Sequence, residues 1–400
     1  ASCQVTAQTA QPAGDFEIQQ GVLIAYTGSD KSVTIPDTVT VIGNGTDAVF
    51  GSQVETVTIP ASVTEIAPKA FYYCMGLKTV SFAPDSQLKT IGAEAFSTAS
   101  AIQSLEIPEG VTSIGAQAFV NTHQLKSISL PASLSRIGSE GDHFAVLFAY
   151  SRSGNPTSAP SALTEVNIAD GNPNYISYDG AVYSADGKNL IYCPAQKSSI
   201  QWGEAVETID TYAFNKSAMQ TITLPDTLRT IDDYAFYSSK LTALSTPAAL
   251  ETIGAYAFYN TKIKSVAFAE GLQAIKASAF GECYFPEGTI IEIPASVTSV
   301  GGYAFDCLGD MGAASVKVLG SDTELASGFI PNYAKITLYG AEGSTAQKYA
   351  EDLGSGRKLT FQLLSDGGET AVESIELPET LTLTVGESTQ LTATVLPEAA

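Results

Sequence analysis

One pattern recurs along the chain and leaves few folds open to it. Residues 217–236 read SAMQTITLPDTLRTIDDYAF and residues 237–258 read YSSKLTALSTPAALETIGAYAF, so the closing Ala-Phe pair returns after 22 residues. The same pair stands at Ala70-Phe71, Ala95-Phe96, Ala118-Phe119, Ala213-Phe214, Ala279-Phe280 and Ala304-Phe305, with an Ile or Val just upstream each time. A fixed period of about 22 to 25 residues marks a solenoid, because each short repeat can bury its apolar face only against its neighbours. Such an array grows lengthwise without enlarging any single core, which accommodates 400 residues without a large globular interior.

Residues 125–138, LKSISLPASLSRIG, show what each position in a repeat does. Leu125, Ile128 and Leu130 have the L-x-x-L-x-L spacing of a short parallel strand whose apolar side chains face the interior. Pro131 ends the strand, since it has no N–H for the ladder and fixes its own φ; Pro36, Pro60, Pro108, Pro225 and Pro294 repeat this stop. A second apolar pair follows and ends at Gly43, Gly92, Gly115, Gly138, Gly254 or Gly301, where glycine allows a positive φ or serves as a helix N-cap. Asp210 and Asp232 suit a cap in its place, Ala67 precedes a Pro68 suited to a first helical position, and Lys276 fits neither rule. The Ala-Phe pair is then predicted on one helical turn, with Phe directed into the core.

The order of these anchors, as in Ile107-Pro108, Val111, Ile114-Gly115 and Ala118-Phe119, or Ile293-Pro294, Val297, Val300-Gly301 and Ala304-Phe305, resembles the BspA-like leucine-rich-repeat family of bacterial surface proteins. The match spans most of residues 16–364. It implies a right-handed leucine-rich-repeat solenoid, mostly β with parallel strands and short helical turns. It also implies a role in surface adhesion.

Along the chain, residues 1–15 are polar and aperiodic and read as a tether. There Ala1-Ser2-Cys3 matches either the end of a lipoprotein signal with Cys3 lipidated or a plain linker cysteine. Residues 16–31 read as a hairpin cap, 32–138 as a first repeat array, 139–194 as a loop and hairpin excursion, 195–315 as a second array and 316–364 as a C-terminal cap. The cap holds a helix begun by Ser344. Residues 365–371 form a linker. Residues 372–400 resemble the opening strands of a bacterial immunoglobulin-like domain of group 2; a sandwich of that class needs about seven strands, so the natural protein is expected to continue into further C-terminal modules.

Composition narrows the function. With 42 acidic against 20 basic residues the net charge is −22, which opposes nucleic acid and anionic membranes as partners. No run of some 20 apolar residues is present to cross a membrane. Nucleophile elbows, H-E-x-x-H, phosphate loops and dinucleotide fingerprints are missing, and the only histidines are His123 and His143, so neither catalysis nor a metal or other cofactor is expected. Asp179-Gly180 and Asp186-Gly187 read as turns rather than a calcium loop. Five cysteines do not make a disulfide framework; Cys74, Cys193, Cys283 and Cys307 are expected to be buried thiols, with a Cys283–Cys307 bridge as the other possibility.

Two surfaces offer binding. The outward strand positions carry hydroxyls at Thr56, Thr58, Thr79, Ser81, Ser127, Ser129, Thr221 and Thr223, which suit either a hydrogen-bonding partner or plain solvation. The corners carry Tyr212, Tyr234 and Tyr256 at one repeat position, with Tyr303 returning to it after Ser278; Tyr237 and Tyr259 follow three residues after their partners and share their face. The expected protein is non-enzymatic and monomeric, secreted or held at a bacterial cell surface. It binds a protein or glycan on a host or neighbouring cell. The alternative is a stalk that only displays immunoglobulin-like modules. Because three lone strands leave open edges and too small a core, deleting residues 372–400 should leave the melting temperature of the solenoid unchanged; calorimetry of the two chains checks this.

Overall fold

A computed structural model describes residues 13–139, 142–148, 162–331, 333–353, 358–364, 375–376 and 394–395. The fold is a β-solenoid of about 14 turns with parallel strands. Each regular coil contributes to two ladders. The L-x-x-L-x-L segments form the long one, as in Ser32–Thr34, Thr56–Ile59 and Thr79–Phe82, then Ser104–Glu106, Ser127–Leu130 and Glu165–Ile168. The V-T-x-I segments form the short one, in two-residue strands from Val41–Ile42 to Arg136–Ile137 and again from Thr208–Ile209 to Glu324–Leu325. Register sets like on like: Thr208 faces Thr230, which faces Thr252, and Ile209, Ile231 and Ile253 stack behind them.

The corners differ from the helical turn expected for Ala-Phe. In each Ala-Phe corner the residue before the alanine has a positive φ, from 53° at Ser278 to 63° at Lys69, and in all but the Tyr303 corner a second left-handed residue follows four positions later. Between them the amides alternate. The N–H of Ala70, Tyr72 and Cys74 closes tight turns on Ala67, Lys69 and Phe71, whereas that of Lys69, Phe71 and Tyr73 reaches the carbonyls of Ala93, Ala95 and Ser97 in the next coil at 2.7–3.1 Å. A helix would keep all of these bonds within one coil. The left-handed residues instead turn every second amide outward along the solenoid, so the corner becomes a third ladder.

The corner glycines act mainly through space rather than through φ. A Cβ on Gly92, Gly115, Gly254 or Gly301 would run into the backbone of the preceding coil, at Pro68, Ala93, Asp232 and Ala277 respectively. Only Gly43 and Gly138 of this set have a positive φ.

Every repeat phenylalanine is buried, and the rings stack coil upon coil. Phe71 and Phe96 lie 4.8 Å apart at 4°, and Phe214, Phe236, Phe258, Phe280 and Phe305 continue at 4.6–5.2 Å with planes within 9°. The interior divides into two cores, one holding Phe16 to Phe148 and the other Phe214 to Phe329.

The segment between the cores does not stand off the rod as an excursion. Tyr175–Tyr178 pairs antiparallel with Ala181–Ser184, which pairs antiparallel with Asn189–Tyr192, and that strand pairs parallel with Thr208–Ile209. The meander therefore begins the second short ladder. Its alternation serves both sides: Val182 and Tyr192 join the first core, and Ala181, Tyr183 and Leu190 join the second. Buried Asn172 ties it down, donating to the carbonyls of Pro131 and Leu134 and accepting from the amides of Asn174 and Tyr175.

At the N-terminal end Phe16–Gln19 and Val22–Tyr26 form a hairpin whose second strand pairs with Val41–Ile42. At the other end Ser344 accepts from the Gln347 amide through its hydroxyl and precedes the helix Thr345–Leu353, which buries Ala346 and sets Tyr349 against Phe329. Ile375–Glu376 pairs antiparallel with Thr394–Val395. The immunoglobulin-like segment otherwise, the linker 365–371, the loop 151–161 and residues 1–12 of the tether, with Cys3, lie outside the described residues.

Phe258 lies face to face with Phe236 at 4.9 Å and Phe280 at 5.2 Å. Phe258→Ala should therefore cost about 3–5 kcal/mol, seen as a lower urea midpoint at unchanged m-value.

Candidate functional site

The corner ladder that buries phenylalanine also fixes what lies outside it. The left-handed positions before the alanines range from buried at Ser278 to exposed at Tyr303, with Tyr212 packed against the first core, and the corner ladder sets successive coils in register. In the second array tyrosines fill this position at Tyr212, Tyr234 and Tyr256, with φ of 60°, 57° and 55°. Their rings stack at 4.9 Å, within 21° for the first pair and 4° for the second. Tyr237 and Tyr259, one residue after the buried phenylalanines, make a second row at 5.6 Å and 5°. Contacts of 5.8 Å between Tyr234 and Tyr237, and 5.5 Å between Tyr256 and Tyr259, join the rows. The three-residue spacing does place each pair together, through a tight turn (Tyr237 N–H to Tyr234 C=O, 3.0 Å) rather than a helix.

Five of the six tyrosines singled out from the sequence thus form one half-buried surface. Tyr303 does not join it. Ser278 takes the intervening place, so the stack ends at Tyr256 and Tyr303 lies 63% exposed beyond the gap. At the opposite end His143 meets Tyr212 edge to face at 6.0 Å.

Carboxylates border the surface. Asp233 accepts from the Ala255 amide at 2.8 Å and lies 3.5 Å from Lys276, close enough to Tyr212 and Tyr234 to act on both phenols. Glu282 flanks Tyr237 and Tyr259, and Asp306 also flanks Tyr259. Burial, reinforced by Tyr234 for one and by Glu282 and Asp306 for the other, pushes Tyr212 and Tyr259 up to about 12, so these phenols keep their protons at neutral pH. Burial likewise raises the carboxyls of Asp210 and Asp232, the latter with help from the Asp210 charge. Sequence reading did not single out Asp233, Glu282 and Asp306. Aligning the residue after each phenylalanine gives the series Tyr237, Tyr259, Gly281, Asp306, which places Asp306 in the second tyrosine row.

The hydroxyl-rich strand face is less continuous. Thr56 faces Thr79 and Thr58 faces Ser81, and Thr56 donates to Ser32 at 2.8 Å. Ser127 and Ser129 lie in a separate ladder beside Ser104 and Glu106, while Thr221 and Thr223 belong to no strand. The Thr223 carbonyl instead accepts the Trp202 indole N–H at 2.7 Å. Among the described residues, no group of three or more His, Cys, Asp or Glu is placed to hold a metal ion. Among them, too, no helix is long and apolar enough to cross a membrane.

A parallel solenoid with a consensus strand, a proline stop and an Ala-Phe corner defines a leucine-rich-repeat protein. The model of the BspA type leucine-rich repeat region matches residues 23–143 and 188–309 in six copies, and the chain belongs to that family. Among solved structures, the pneumococcal vaccine antigen PcpA is similar over 86% of this chain and 92% of its own, at 20% identity and a TM-score of 0.53. A leucine-rich repeat protein from Eubacterium ventriosum is similar over 78% and 87%, at 19% identity and a TM-score of 0.52. At these identities the likeness is one of fold. No curated protein matches the chain in sequence.

The four described cysteines are free and buried, so the Cys283–Cys307 bridge is not formed. Their thiols donate to carbonyls: Cys74 to Phe50 at 3.2 Å, Cys283 to Phe258 at 3.3 Å and Cys307 to Phe280 at 3.1 Å. Cys307 Sγ also accepts from the Cys283 amide at 3.2 Å. Burial pushes Cys74 up to about 12 and Cys193 higher still; for Cys307 the hydrogen bond with Cys283 leads and burial adds to it. Below the ordinary thiol pKa of about 8.5 both folded and unfolded chains hold these protons, and the stabilisation is fully present. As the pH rises above that value only the unfolded chain ionises, so unfolding free energy should fall. Replacing Cys74 and Cys193 by Ala should flatten the slope in urea titrations, and Cys74, Cys193, Cys283 and Cys307 should not react with a thiol reagent until the chain unfolds.

Proposed function

We propose that the chain is a non-enzymatic binding protein, secreted or displayed at a bacterial surface, that engages a protein or glycan of another cell through the tyrosine corners of its second array. One observation carries this reading. The same left-handed position holds Lys69, Glu94 and Gln117 in the first array, with the same φ and the same inter-coil bonds. The corner therefore forms without tyrosine, and tyrosine is not a residue that favours positive φ. Three rings gathered at such positions, with Tyr237 and Tyr259 packed beside them, give a rigid, amphipathic area with little side-chain entropy to lose on contact. Membership of the BspA-type family and the fold shared with a vaccine antigen support a surface role.

Changing Tyr234, Tyr237, Tyr256 and Tyr259 together to Ser should abolish capture of the chain by a panel of immobilised host-surface proteins and glycans, with modest loss of stability. Unchanged capture would move the site to the hydroxyl-rich strands. Capture by no surface patch at all would favour the stalk.

A further inference from the structure

The way the rings are stacked narrows the partner, on the premise that the tyrosine face is the binding face. Tyr234 lies between Tyr212 and Tyr256, and Tyr237 is stacked on Tyr259, so these ring faces are occupied by each other. Tyr259 is closed on its other side as well: a Cβ on Gly281 would come within 2.7 Å of its Cδ2, so the ring lies against the glycine backbone. A sugar needs an open aromatic face to lie on, and with most of these faces covered the rows offer chiefly edges and hydroxyl tips. Among the described residues the hydroxyls of Tyr212, Tyr234, Tyr237 and Tyr256 make no hydrogen bond.

What surrounds those tips is chiefly acceptors. Asp233 borders one row, and Glu282 and Asp306 border the other. Oδ1 of Asp306 is buried and has no hydrogen-bond partner among the described residues. The nearby cations are Lys276, itself half-exposed and 3.5 Å from Asp233, and Lys216 at the margin, whose amide bonds Tyr237. A net charge of −22 adds long-range attraction for positive partners.

We propose that the partner on the tyrosine face is a basic polypeptide segment, whose arginine and lysine side chains donate to the phenol oxygens and to the carboxylates of Asp233 and Glu282. Arginine suits the place best. Its planar fork carries five donors and pairs bidentately with carboxylates, an interaction that needs no free ring face. An acidic peptide would meet the carboxylates of Asp233 and Glu282 as like charges, and a neutral glycan would gain no charge pairing from them.

The test uses the full chain and fluorescent nona-arginine, with nona-glutamate and a neutral oligosaccharide as comparison probes. Asp233→Asn with Glu282→Gln keeps the shape, and the Asn can still accept from Ala255. Glu106→Gln with Glu165→Gln removes the same charge from the exposed strand face. The first pair should weaken nona-arginine binding about tenfold and the second less than about twofold, since two close charge pairs add up to that order. The four-tyrosine variant should also lose it. Equal losses from both pairs would show that only net charge is sensed and would overturn the proposal, as would tyrosine-dependent binding of the oligosaccharide or of nona-glutamate. If the four-tyrosine variant loses surface capture while the Asp233/Glu282 variant keeps it, the binding face stands and the basic partner falls. If the four-tyrosine variant keeps capture, both fall.

Discussion

The structure depends on a hydrogen bond that crosses from one coil to the next at the corner. A solenoid turn must reverse direction within a few residues and still satisfy every buried amide, because an unpaired buried N–H costs about 1–3 kcal/mol. Here two left-handed residues, four apart, aim alternate amides along the array: Tyr234 to Ala255, Phe236 to Ala257 and Ser238 to Tyr259, at 2.7–2.9 Å. The register set by these bonds puts phenylalanine over phenylalanine inside and tyrosine over tyrosine outside. A left-handed residue with a side chain is unfavourable by about 1–2 kcal/mol, and the inter-coil bond together with the buried ring offsets it.

That division of labour separates folding from recognition. The inward side is constrained by volume, since Gly92, Gly115, Gly254 and Gly301 lie against the backbone of the coil before. The outward side is not, which is why Lys69, Glu94, Gln117, Tyr234 and Ser278 occupy equivalent places with φ between 53° and 63°. Variation at that side leaves the solenoid intact and changes what it presents. The acceptor-rich tyrosine surface of the second array is one such presentation.

Much of this was legible in the residues. Spacing alone located most of the strands, though not at Thr221 and Thr223, which form none, and it located the buried phenylalanines, because apolar periodicity reports directly on which side chains face the core. The corner was misread as helical since Ala-Phe, with a glycine or aspartate ahead, satisfies helix-start rules, and no local propensity announces tyrosine at positive φ. The glycines were correctly marked as special but for φ rather than for close approach, which depends on the neighbouring coil. Residues 175–192 looked like a departure from the rod; only pairing with Thr208–Ile209 shows that they restart it. The tyrosine rows are visible as a 22-residue interval, but the return of tyrosine at Tyr303 after Ser278 does not reveal that Tyr303 stands outside the stack. Stacking needs contact in every coil, and one serine ends it.

The central claim is that the corners are held by their backbone and that the tyrosines are additional to the fold. Amide hydrogen exchange in the variant with Ser at 234, 237, 256 and 259 tests it directly. The account predicts that the amides of residues 234, 236 and 238 stay as protected as those of the neighbouring strand residues 230 and 231, with and without the rings. Loss of protection at the corner in that variant, with the strands still protected, would show that the tyrosines hold the turn together and would contradict the account.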